Sequence, residues 1–268
     1  MQKSFDEVKA FWRTAAAHEL DEQQLRPTAR DPYLQQAIEE IICRYLPKEA
    51  TGKQLLDIGC GDGRSTFRFA AFFERAVGID YVDEFVARAN GAARREQLPH
   101  VQFQVGDATE LSSLREQYGN FDVAISIRCL INLATWENQQ RAIEQVVKSL
   151  KPGGLYILSE GWQEGMDGLN AVRTAVGLEP MAVAPYNLLI RRAAFEAVVS
   201  RYFTQQAYES LGLYMYFSRV AQPLLMAPDP PRHVHPLNRV AMELVSKANR
   251  AGFDDCDYAG ITVLRRTG

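Results

Sequence analysis

Apolar residues recur at helical spacing over the first fifty positions: Phe5, Val8, Phe11 and Trp12, then Leu34, Ile38, Ile41 and Ile42. Between these two predicted helices runs Leu25-Arg26-Pro27-Thr28-Ala29-Arg30-Asp31-Pro32-Tyr33. Its two prolines forbid a continuous helix, so the segment reads as a turn-forming connector. From Lys53 the period changes. Short apolar runs at 54–58, 76–80, 101–105, 121–126 and 155–159 read as strands. Helical patterns separate them, starting near Ser65, over 83–96 and over 136–150, where Pro152-Gly153-Gly154 is a stop signal. Strands that alternate with helices imply a parallel sheet wound by right-handed crossovers. After Glu160 the alternation loosens: helices are expected over 168–176 and 191–202, a strand over 204–216 and a Pro-rich loop over 227–236. A helix over 237–251 and a closing strand over 257–264 complete the pattern. The fold expected is α/β, a doubly wound and mostly parallel seven-stranded sheet with helices on both faces, in one domain.

Composition narrows the classes. With 268 residues the chain can bury roughly 70–75% of its unfolded surface, so no metal or crosslink is needed to hold a core. A net charge of −3 argues against an electrostatic grip on nucleic acid. No apolar run reaches the ~18 residues of a spanning helix, and the first residues carry acids in place of a secretory h-region. Cys43, Cys60, Cys129 and Cys256 are scattered, without a C-x-x-C pair. A cytoplasmic protein that engages neither membrane nor nucleic acid is expected, as a monomer or homodimer.

The chemistry gathers at strand ends. In doubly wound sheets ligands sit beyond the carboxyl ends of the strands. Asp57, Asp80 and Asp107 fall at or just after the ends of the first three strands, and Gly59-Cys60-Gly61-Asp62-Gly63 follows the first. A dinucleotide loop reads G-x-G-x-x-G/A, but Arg64 stands where a small residue should allow close helix–strand packing. Asp57 and Asp62 would also face the two phosphates, and like charges at 4 Å cost about 4 kcal/mol each at an effective dielectric of 20. A ligand with a cationic amino-acid end and no phosphate removes the conflict. S-adenosylmethionine is such a ligand: its ammonium suits the acidic loop, its ribose diol Asp80 and its adenine amino group Asp107.

The run Leu55-Leu56-Asp57-Ile58-Gly59-Cys60-Gly61-Asp62-Gly63 resembles the first motif of class I S-adenosylmethionine-dependent methyltransferases of the bacterial small-molecule type. The likeness continues through Gly78-Ile79-Asp80, Gly106-Asp107-Ala108, Phe121-Asp122-Val123 and Leu150-Lys151-Pro152-Gly153-Gly154. It implies a Rossmann-like core over 51–162 that binds the cofactor, a helical lid over 1–50, and an insertion after the fifth strand. That insertion, with acceptor-side helices, spans 163–203; the last strands and helix occupy 204–268. Carried over, Asp57, Gly59, Cys60, Gly61 and Gly63 would line the methionine moiety and Asp80 the ribose. Tyr81 or Val82 would lie on the adenine face, Asp107 and Ala108 would read its edge, and Arg128 would lie below the sulfonium. Arg26 or Arg30 would face the methionine carboxylate, since a guanidinium fork matches a carboxylate.

Methyl transfer from a sulfonium is an in-line displacement, which demands alignment first and a base only when the acceptor must lose a proton. Arg128 and Glu160, at strand exits, are the leading catalytic candidates, with His18 as a base from the lid. Asn132, Trp136, Trp162, Tyr186, Asn187 and Arg219 are candidate acceptor contacts. His233-Val234-His235 lacks a placed third ligand, so no metal is expected. The expected reaction moves a methyl group to a small molecule, with O-methylation of a sugar or secondary metabolite favoured. N-methylation, or cofactor binding without transfer, is the alternative.

Overall fold

The computed structural model describes residues 3–17, 30–247 and 253–268. Two helices lead, α1 (Phe5–Ala17) and α2 (Pro32–Cys43). Asp31 caps α2, its carboxylate accepting the Leu34 N–H at 3.1 Å, with Pro32 at the first helical position. The alternating core follows: β1 (Gln54–Ile58), α3 (Arg64–Ala70), β2 (Arg75–Asp80), α4 (Asp83–Arg95), β3 (Val101–Val105), α5 (Ser112–Tyr118), β4 (Phe121–Ile127), α6 (Trp136–Ser149) and β5 (Leu150–Ser159). Beyond it lie α7 (Gln163–Ala175), α8 (Arg192–Val199), β6 (Phe203–Glu209), α9 (Gly212–Tyr216), α10 (Gln222–Met226), α11 (Pro236–Lys247) and β7 (Ile261–Arg266).

The seven strands form one sheet in the order β3-β2-β1-β4-β5-β7-β6. The first five pair in parallel, and β7 runs antiparallel to both β5 and β6. Alternate residues feed opposite faces. Leu55, Ile157 and Val263 join a core with α2, α3, α4, α7, α9 and α11, whereas Leu56, Leu158 and Leu264 join one with α5, α6 and α8.

Three expectations are corrected. The fifth strand starts at Leu150, not 155: Leu150 pairs with Phe121 and Leu155 with Val123, so the Pro-Gly-Gly turn is a bulge inside the strand. The segment 212–216 is helix, not strand. Its unbroken run Leu213-Tyr214-Met215 is buried and carries no periodicity to separate the two states. The helix after β5 begins at Gln163, five residues early. Gly165 and Gly168 masked that turn, and both are required there: a Cβ on either would sit 2.0 Å from the carbonyl oxygen of Asp257 or Asp255.

Candidate active site

Sheet order reverses between β1 and β4, and a cavity of about 440 Å³ opens at the carboxyl ends of these strands. One wall is the glycine loop. The N–H groups of Gly59 and Cys60 both donate to the Ile79 carbonyl, at 2.8 and 2.9 Å, which ties the loop to β2. Gly59 has φ +71°, and a Cβ there would lie 2.7 Å from the Cys129 Sγ. Asp57 accepts the Thr66 hydroxyl at 2.5 Å. Asp80 accepts the Gly61 N–H through one oxygen and the Val82 N–H through the other, each at 2.9 Å. Burial raises the Asp57 carboxyl to about 7 and the Asp80 carboxyl to about 6. Burial, reinforced by neighbouring carboxylates, pushes the Cys60 and Cys129 thiols well above their usual range, so both stay protonated. Cys60, Gly61, Tyr81 and Val82 border the cavity with the two acids; Gly63 stands behind, at φ +80° before α3.

The opposite wall is assembled from distant segments. Arg128 follows β4 at φ +53°, and its guanidinium donates to Gln35 at 3.1 Å. Asn132 donates to the Arg128 carbonyl at 2.7 Å and accepts the Trp12 indole N–H at 3.0 Å. Tyr186 stacks on Phe11 with centroids 4.2 Å apart and meets the edge of Trp12 at 5.4 Å, so α1 roofs the cavity. Asn187, Arg30, Arg219, Ile131, Met166, Met181 and Tyr258 complete this side. Arg219 pairs with Asp31 at 2.6 Å, which also accepts the Tyr214 hydroxyl at 2.6 Å.

Several sequence candidates stand elsewhere. Glu160 is wholly buried behind the floor. It accepts the N–H groups of Cys129, Leu130 and Ile131 at 3.1, 3.0 and 3.3 Å and the Ser126 hydroxyl at 3.2 Å, so it fixes the turn after β4 and does not face the cavity. Burial lifts its carboxyl to about 7. Trp162 is a core residue, edge-on to Phe195 at 5.2 Å, with its indole N–H on the Gly260 carbonyl. Trp136 opens α6 and packs on the second core. Asp107 turns aside to accept both the N–H and hydroxyl of Thr109, at 2.8 and 2.7 Å, and to meet Lys9 at 3.6 Å; Ala108 is packed in the second core. Neither borders the cavity. His18 and Arg26 lie outside the described residues. Sequence reading missed Trp12, Gln35, Tyr258 and His233 as wall residues. The strand-end rule does not reach them, since each comes from a helix or loop far along the chain.

Residues 49–185, over half the chain, match the model of a methyltransferase domain family. The chain belongs to the class I S-adenosylmethionine-dependent methyltransferases. An arsenite methyltransferase from Aquipseudomonas alcaligenes is 31% identical over 147 residues, 50% of this chain and 42% of that protein. The O-methyltransferase cnsE of Penicillium expansum is 29% identical over 157 residues, 56% of this chain and 54% of that protein. The chain thus spans about half the length of these relatives. Geranyl diphosphate C-methyltransferase from Streptomyces coelicolor A3(2), solved with Mg2+, geranyl diphosphate and S-adenosyl-L-homocysteine, superposes with a TM-score of 0.62. It is 13% identical and covers 98% of each chain, a likeness of fold.

The family's cofactor fits the glycine-loop wall of this methyltransferase. Asp57, Asp62 and Asp80 against the single Arg64 suit a cationic ligand and oppose a pyrophosphate, and the left-handed Gly59 and Gly61 keep side chains out of the loop. No described helix is long and apolar enough to cross a membrane.

Proposed function

We propose that this methyltransferase acts on a hydroxyl group of a small metabolite held between the glycine loop and α1, with a nitrogen acceptor as the alternative. Asp57 and the loop would hold the methionine end of S-adenosylmethionine, Asp80 the ribose and Tyr81 the adenine face, with Arg30 or Arg128 on the carboxylate. When bound, the cofactor supplies a methyl group already activated on a sulfonium. The chain's own residues then have three tasks. Asn132 and Arg128 fix the floor, Trp12 and Tyr186 exclude water, and the second wall aligns the acceptor. Holding two reactants at attack distance accounts for up to ~7–11 kcal/mol of barrier.

One observation carries the reading: the cavity is acidic on one wall and lined by Trp12, Ile131, Met166, Met181 and Tyr186 on the other. That second wall favours a metabolite with an apolar or aromatic body over a bare sugar. Isothermal titration with S-adenosylhomocysteine, followed by a screen of hydroxylated and aminated metabolites for its release from S-adenosylmethionine, tests the proposal. Tight binding with turnover of phenolic or alcoholic compounds is the expected result. Binding with no turnover across the screen returns the chain to a cofactor-binding role.

A further inference from the structure

The Pro-rich loop after α10 brings an imidazole to the cavity. His233 borders it, with Nδ1 3.8 Å from an oxygen of Asp31, an ion-pair distance rather than a hydrogen bond. Two fully buried amides hold that loop. Asn238 donates to the carbonyls of Arg232 and His233 at 3.3 and 3.0 Å, and Gln222 donates to the Asn238 oxygen at 2.6 Å. The Gln222 oxygen accepts the Arg232 N–H at 2.8 Å. A buried amide is costly unless each group is paired; here three of the four pairings end on Arg232 and His233, and the fourth joins the two amides.

We propose that His233 is the general base that takes the acceptor's proton, an inference resting on the methyl-transfer reading above. Asp31, kept ionised by Arg219 and Tyr214, stands 3.8 Å from Nδ1, where its charge would stabilise the imidazolium that forms when Nε2 takes the proton. The hydroxyl proton passes to Nε2 as the oxygen bonds to the methyl carbon, the carbon–sulfur pair stays on sulfur, and the imidazolium returns its proton to solvent. Asp57 and Asp80, at the ends of β1 and β2, are engaged with Thr66 and the glycine loop, Asp31 is engaged with Arg219 and Tyr214, and burial pushes the Tyr258 hydroxyl and both thiols up, away from the basic forms. Among the described residues, His233 is the one imidazole on the cavity.

The test uses 4-nitrophenol, whose phenolate absorbs in the visible, added to protein saturated with S-adenosylhomocysteine at a pH where the free phenol is mostly protonated. The bound probe should show the phenolate band. His233→Gln should lose it while binding S-adenosylhomocysteine with unchanged affinity. With S-adenosylmethionine, the same variant should methylate the probe ~100-fold or more slowly in kcat at little-changed KM, and His233→Gly should recover turnover with added imidazole. A band that persists in His233→Gln, a band never seen in the wild-type complex, or equal turnover overturns the proposal. Failure of the wild type to bind S-adenosylhomocysteine would instead overturn the reading beneath it.

Discussion

Asp80 uses both carboxylate oxygens to accept backbone N–H groups, from Gly61 and Val82. It therefore shapes the glycine loop, and in the function proposed above it would present charge to the ribose as well. Asp80→Asn should weaken S-adenosylhomocysteine binding by about 1.5–3 kcal/mol, the worth of a charge-assisted hydrogen bond, as read by calorimetric titration. Glu160 answers a different question. In Glu160→Gln an amide NH2 would confront the N–H groups that the carboxylate now accepts, so unfolding in denaturant should show a loss of about 1–3 kcal/mol. Cofactor affinity should move far less, since Glu160 stands behind the floor. The sequence made both acids visible as strand-end carboxyls, but not which way each points. Asp80 reaches the loop; Asp107, two residues past the Val105 that pairs with Asp80, is captured by Thr109 and Lys9. Side-chain direction at a strand end depends on the next turn, and no periodicity encodes it.

At the scale of elements, helix packing explains what the pattern hid. α7 presses on the Asp254–Cys256 turn through Gly168 and on the residue after it through Gly165, with no room for a Cβ beside the Asp257 carbonyl. Gly165→Ala should destabilise the fold by about 1–3 kcal/mol in a denaturant midpoint measurement, as overpacking against backbone does. α1 is held over the cavity by rings: Phe11 and Trp12 on Tyr186, and Phe5 on Tyr81 at 6.1 Å. Trp12→Ala should speed amide exchange in α1 and around Tyr186 while β1–β4 keep their protection, as hydrogen exchange would record. Helix α1 was legible from the apolar spacing of Phe5, Val8, Phe11 and Trp12. Its partner Tyr186 was legible as a candidate acceptor contact but not as a ring stacked on α1, because the stacking joins segments far apart in the chain. The alternating core was easiest to read, since each strand there carries its own short apolar run.

For the whole molecule, buried carboxyls set the response to pH, and burial raises the Asp257 carboxyl among them. Asp57, Asp80 and Glu160 are raised by burial to about 7, about 6 and about 7. The folded chain thus holds protons that the unfolded chain has released above its ordinary carboxyl range. The stabilisation from these groups is complete at acid pH and lost as pH rises through about 6 to 7. Asp31 and Asp122 are shifted the other way, burial being outweighed by hydrogen bonds and cationic neighbours, and act below this window. The Tm of the free protein should fall between about pH 5 and pH 8. S-adenosylmethionine should flatten that fall, because its cation favours the ionised forms of Asp57 and Asp80. A Tm that climbs across the interval would contradict the burial assigned to these three acids.

The sheet order has a consequence for how the chain is made. β6 leaves the ribosome well before β7, yet its hydrogen-bonding partner in the sheet is β7, which also covers the flank of β5. During synthesis the five parallel strands can pair as they emerge, while β6 waits without a neighbour and β5 stays a bare flank. Nascent chains halted before Ile261 should therefore be the aggregation-prone species, as sedimentation of stalled ribosome complexes would show.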